Sequence, residues 1–193
     1  MNYPASIEIQ TPEKIANWRP LVQWILAIPH LIIAGALGYV AGAVAVVTWF
    51  VVLFTGRLPE GLANFQVMII RYSARANTYA GFLYEAYPPF DFSMTTDDPG
   101  GSPVTLMVHP QLENRNRLTV GLRIFWLIPA ALFAFVIWIV GALAWFAGFF
   151  AVLFTGRWPA GLYSWVMKFQ RVNVRLTAYA YMLVDQYPPF ETS

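Results

Sequence analysis

Residues 20–55 read PLVQWILAIPHLIIAGALGYVAGAVAVVTWFVVLFT, with no Asp, Glu, Lys or Arg. Residues 124–155, IFWLIPAALFAFVIWIVGALAWFAGFFAVLFT, are equally uncharged. Each run leads straight into Gly-Arg-x-Pro, at Gly56-Arg57-Leu58-Pro59 and Gly156-Arg157-Trp158-Pro159. A bilayer span needs about 20 apolar residues. Both runs exceed that, so the chain reads as a mainly α, integral membrane protein.

Composition agrees. The 193 residues are 58% hydrophobic and only 11% charged, more apolar surface than a soluble fold of this size hides. Trp and Tyr, 8 and 10 in number, cluster beside the apolar runs, as at headgroup depth. A formal charge of +2 gives no reason to expect nucleic acid. Without Cys, the chain has no thiolate nucleophile and no Cys-based metal site. The opening MNYPASIEIQTPEK lacks the basic and apolar parts of a signal peptide, so the first apolar run is expected to direct its own insertion.

An offset of 100 residues aligns the two halves without gaps. Val52-Leu53-Phe54-Thr55-Gly56-Arg57 recurs as Val152-Leu153-Phe154-Thr155-Gly156-Arg157, and Tyr87-Pro88-Pro89-Phe90 as Tyr187-Pro188-Pro189-Phe190. Arg71, Arg75 and Tyr79 recur as Arg171, Arg175 and Tyr179. Such agreement in one register marks a tandem duplication. The repeats are residues 1–93 and 104–193, joined by a polar, turn-rich linker, 94–103, in which Asp97 and Asp98 are read as solvated.

Within each repeat the weak alternation at 5–9 and 104–108 suits a short β-strand, with an irregular interfacial arm as the alternative, and then comes the apolar run. As one helix the 36 residues of 20–55 extend ~54 Å, beyond a hydrocarbon core of ~30 Å. One reading lays residues 20–28 in the interface, kinks at Pro29 and crosses once. The other folds the run into a helical hairpin with Gly35, Gly38 and Gly42 near its tip, and leaves Gly141 and Gly148 as hinges of the second run. Basic residues flank both ends of each run, so the paired-hairpin reading is favoured: four short crossings with both termini cytoplasmic, in a multi-pass protein of the cell inner (plasma) membrane.

After Gly-Arg-x-Pro an amphipathic helix is expected, with Pro59 or Pro159 in its first turn. Leu62, Phe65, Ile69, Tyr72, Ala76 and Tyr79 form a stripe at alternating spacings of three and four. Arg71 and Arg75 fall on another face, so an interfacial helix is expected, stripe toward lipid or the hairpins and cations at phosphate level. Tyr-Pro-Pro-Phe ends it, because proline lacks the amide donor.

The run LFTGR-x-P-x-GL, the paired arginines and YPPF together resemble an uncharacterised bacterial integral-membrane family, catalogued as a domain of unknown function and often found in tandem. The resemblance covers residues 19–93 and 117–193. It implies a membrane protein without an assigned reaction, so no catalytic residue carries over. Ala130 stands where the first copy has His30.

Candidate binding residues are therefore cations: Arg57, Arg71, Arg75, Arg157, Lys168, Arg171 and Arg175, suited to anionic lipid headgroups or to a protein partner. His30 is the ionisable residue inside an apolar run and a possible intramembrane polar site. No pattern for a phosphate loop, nucleophile elbow or zinc protease is present, and no catalytic residue, metal or cofactor is expected. The expected function is non-enzymatic: an accessory or scaffold subunit packed against other integral membrane proteins and anchored to anionic lipid. The alternatives are a membrane-shaping, lipid-organising protein and a small transporter or channel component.

Overall fold

A computed structural model describes residues 3–192. In chain order it has β1 (Ala5–Ile9), α1 (Arg19–Leu26), α2 (Ile28–Thr55), α3 (Glu60–Ala80), β2 (Val104–Val108), α4 (Arg117–Gly121), α5 (Arg123–Thr155) and α6 (Ala160–Ala180). Both expected strands form at the expected residues, and they pair with each other across the repeats.

The apolar runs do not fold into hairpins. α2 continues for 28 residues through Gly35, Gly38 and Gly42, and α5 for 33 through Gly141 and Gly148. A helical glycine costs about 1 kcal/mol, too little to stop a long helix packed along its length. A turn amid apolar residues would leave backbone groups without partners. The chain instead bends before Pro29, where α1 ends at Leu26 and Pro29 occupies the first turn of α2. In the second copy Pro129 lies inside α5 and the break comes earlier, at Leu122. Two helices, Ile28–Thr55 and Arg123–Thr155, are long and apolar enough to cross a membrane.

The hairpin in each repeat is formed by α2 with α3, and by α5 with α6. Tyr72 and Ala76 pack near Ala34, and Met68 and Ile69 against Ala41. Gln66 donates to Thr48 at 3.3 Å, so α3 runs back along α2. Thirteen of the 21 residues of α3 are buried. Of the two expected partners for the apolar stripe of α3, lipid and the apolar run, α2 takes the stripe, and most of the remaining sides are covered too. The helix ends at Ala80 rather than running on to Tyr87-Pro88-Pro89-Phe90 as expected.

The repeats interlock about a pseudo-two-fold. In the antiparallel sheet Ala5 pairs with Val108 and Glu8 with Thr105, pairs that exchange when each partner shifts by the repeat offset. Each strand packs on the helix of the other repeat, β1 on α6 and β2 on α3. The Ile15 amide donates to the Gly156 carbonyl at 2.7 Å, and its counterpart at Arg115 donates to Gly56 at 3.2 Å. The end of α2 thus meets the chain before α4, and the end of α5 meets the chain before α1. α2 and α5 run in opposite directions.

Three layers result: the sheet packs on α3 and α6, these pack on α2 and α5, and neither strand shares an extended contact with α2 or α5. The main core sits between the first two layers, around Ile7, Leu106, Val67, Tyr84, Val174 and Leu183.

Candidate functional site

The Thr-Gly-Arg motif is explained by chain geometry. Gly56 and Gly156 cap α2 and α5 with φ of 70° and 67°, the left-handed region that an L side chain resists. The Thr55 hydroxyl donates to the Val51 carbonyl and accepts the Arg57 amide at 3.1 Å; Thr155 does the same for Arg157. Pro59 and Pro159, both extended, then cap the next helix. Arg57 and Arg157 remain exposed, at opposite ends of the α2–α5 pair.

Arg71 and Arg75 point into the polar side of α3 and are 1% and 2% exposed. Arg71 donates to the carbonyls of Ser93, Thr95 and Asp97. Arg75 reaches Asp98 at 2.6 Å, Asp91 at 3.1 Å and the Gly100 carbonyl at 3.0 Å. Asp98 also accepts the amides of Gly100 and Leu106, the latter in β2. The two arginines spend their terminal NH groups fastening residues 91–100 to α3, and their burial leaves neither exposed to a lipid headgroup. The solvated reading of the linker holds for Asp97, whose side chain is exposed, and fails for Asp98. Burial alone would raise the pKa of Asp91; the Ser93 hydrogen bonds and the charges of Arg71 and Arg75 outweigh it and hold the carboxyl below its usual range.

A second polar cluster lies at the C-terminal ends of α3 and α6, one turn beyond Arg75 in the first repeat. Gln23 is fully buried and donates to the carbonyls of Tyr79 and Tyr84, both at 2.7 Å. Its counterpart Arg123 donates to the matching carbonyls of Tyr179 and Val184, both at 2.9 Å, and to Asp185 at 2.7 Å. Asp185 also takes Arg115 at 2.6 Å and the Asn116 amide. Its first-repeat counterpart Glu85 accepts the Ala16 amide at 2.6 Å. Burial raises the pKa of Asp185, but the hydrogen bond and charge of Arg115, the Asn116 amide and Arg123 bring it below the usual carboxylate value. Sequence reasoning passed over Gln23 and treated Arg115 and Arg123 as flanking charge. Their match to Ile15 and Gln23 at the repeat offset was the available clue.

His30 faces the protein. It is 1% exposed, its Nδ1 lies 2.9 Å from the Tyr72 hydroxyl, and its ring stacks on Phe90 of the YPPF motif with centroids 4.1 Å apart. Nε2 is buried without a hydrogen-bond partner. In the second repeat Ala130 takes this place, and an apolar pocket of about 370 Å³ opens between Trp126, Pro129, Tyr187 and Phe190. On α6 the Lys168 ammonium lies over the Trp165 ring at 4.1 Å, and Arg175 reaches the Glu191 carbonyl and the Tyr3 ring. Lys168, Arg171 and Arg175 are half-buried. The candidate cations therefore do not converge on one site. Among the described residues no group of three or more His, Asp or Glu is placed to hold a metal.

No curated protein and no solved structure matches the chain. A family described as Domain of unknown function (DUF4389) matches it twice, at residues 17–91 and 117–191. These matches take in both apolar helices, both Thr-Gly-Arg stops and both YPPF motifs, and the chain belongs to the DUF4389 family as two tandem copies of the domain.

Proposed function

We propose that the chain is a non-enzymatic membrane protein of the bacterial inner membrane, an accessory or scaffold subunit embedded through α2 and α5. The observation that carries this reading is the apolar outer layer. Ile32, Tyr39 and Phe54 of α2 are 67%, 86% and 72% exposed, and Phe125, Leu143 and Phe154 of α5 are 66%, 66% and 76% exposed. In water such a surface would aggregate; in lipid it is a solvated face. Arg57 and Arg157, with Lys168, Arg171 and Arg175, supply the contacts to anionic headgroups.

A cleft of about 660 Å³ between α1 and α5 supports the accessory role. Its walls carry Trp24, Leu31, Trp138 and Trp145, and Asn77 and Asn173 also line it. An apolar wall with a few amides suits a helix of a neighbouring membrane protein. The test is gentle detergent extraction of the tagged chain from native membranes, followed by sizing. The reading expects a complex well above the 21.8 kDa of the chain, containing a second integral membrane protein. A species containing only this chain, unchanged by cross-linking in the membrane, would overturn it.

A further inference from the structure

We propose that α2 and α5 lie flat in one leaflet of the bilayer, with the β1–β2 sheet and the linker in water, so that neither helix crosses. The inference rests on the membrane reading above and adds its orientation.

The layer order is the first support. The apolar face lies along the sides of α2 and α5, on the layer opposite the sheet. On α2 the exposed large apolar residues between Ile28 and Phe54, Val40 and Val47 included, fall within an arc of roughly 120° at 100° per residue. On α5 the exposed apolar residues between Ile124 and Phe154 span roughly 120°, apart from Trp126, Trp138 and Trp145, which lie outside that arc beside the pocket and the cleft. Each helix shows a broad apolar face from end to end.

Upright helices would not suit the polar groups. Tyr72 packs near His30 and Ala34, so Arg71 and Arg75 sit alongside the helical run rather than past its ends. The sheet that carries exposed Glu8 is joined to the same stretch through Asp98. Crossing would carry these groups toward hydrocarbon depth, where a charge costs at least about 2.5–3.5 kcal/mol on an insertion scale. The lengths disagree too: 28 and 33 residues extend ~42 and ~50 Å, against a core of ~30 Å. A helix lying flat is about 10–12 Å across with its side chains, which fits one leaflet of roughly 15 Å. Flat helices also place Arg57 and Arg157 at two ends of one face, on the same side of the membrane.

The chain has no Cys, so sites can be introduced singly or in pairs. The double variant Arg57→Cys with Arg157→Cys is reconstituted into liposomes of phosphatidylethanolamine and phosphatidylglycerol. A membrane-impermeant polyethylene-glycol maleimide is added, and labels per molecule are counted by gel shift. Flat insertion predicts molecules with two labels or none, whichever way each one inserted. Antiparallel crossing helices predict one label on nearly every molecule, which would overturn the inference and leave the membrane reading intact. Loss of the protein from the liposomes during carbonate flotation would sink both. Two labels on every molecule in detergent confirms that both sites react.

Discussion

Asp98→Ala is predicted to destabilise the fold far more than Asp97→Ala, although the two are neighbours in a polar linker. Asp98 is 7% exposed at its side chain and lies 2.6 Å from the Arg75 guanidinium, itself 3% exposed. Removing one partner of a buried pair typically costs about 3–5 kcal/mol, because a charge is left without compensation. Asp91 remains 3.1 Å from Arg75, which argues for the lower end. The Leu106 amide in β2 also loses its acceptor, worth about 1 kcal/mol. The expected loss is about 3–4 kcal/mol, read from unfolding in mixed micelles with rising dodecyl sulfate and followed by tryptophan fluorescence. Adding Arg75→Met should restore at least ~1 kcal/mol by removing the stranded cation. Asp97→Ala, on an exposed side chain, should stay within about 0.5 kcal/mol of the parent. Equal effects of the two alanines would refute the view that Arg75 fastens the linker.

Further predictions concern packing, a buried amide and pH. Gly148→Ala places a Cβ 2.0 Å from the Trp158 ring, which is stacked on Phe82 and cannot retreat. Its melting temperature should fall, by the equivalent of about 1–3 kcal/mol, whereas Gly42→Ala, with no neighbour within 4 Å, should leave it level or higher. Gln23→Ala strips a donor from the carbonyls of Tyr79 and Tyr84 and should cost about 1–3 kcal/mol in the same micelle unfolding assay, with Gln23→Leu no better. Asp185 has a folded pKa below its unfolded value, so it binds its proton more weakly when folded. Its contribution is full above the ordinary carboxylate value, about 4, and is lost as pH falls through the depressed value. Melting temperature should drop in that acid window, and Asp185→Asn should shrink the drop while lowering stability at neutral pH.

The repeat, the strands at 5–9 and 104–108, and the helix stops at Thr-Gly-Arg were legible because each rests on local chemistry. The left-handed glycine and the capping prolines act within a few residues of themselves. The uninterrupted course of α2 was harder to read. Gly35, Gly38 and Gly42 look like a turn in one dimension, yet no side chain approaches them. The close-packed glycines are instead Gly141 and Gly148, whose neighbours Phe169 and Trp158 lie in or before the next helix. Arg71 and Arg75 were read as cations for lipid headgroups or a protein partner because their own partners, Asp91, Asp98 and the linker carbonyls, come 16 to 26 residues later. Long-range ion pairing leaves no periodicity to detect. The exchange of strands between repeats is hidden for the same reason: the strand pattern fixes that β1 pairs, not which helix it covers.

The outer layer of α2 and α5 in lipid, with the sheet in water, is tested most directly by spin labels at Tyr39→Cys and Glu8→Cys in reconstituted liposomes. Oxygen, which concentrates in hydrocarbon, and a water-soluble nickel chelate are compared as relaxing agents. The account predicts that the Tyr39 site responds to oxygen and hardly to nickel, and that the Glu8 site responds in the opposite sense. A Tyr39 site as open to nickel as the Glu8 site would contradict it.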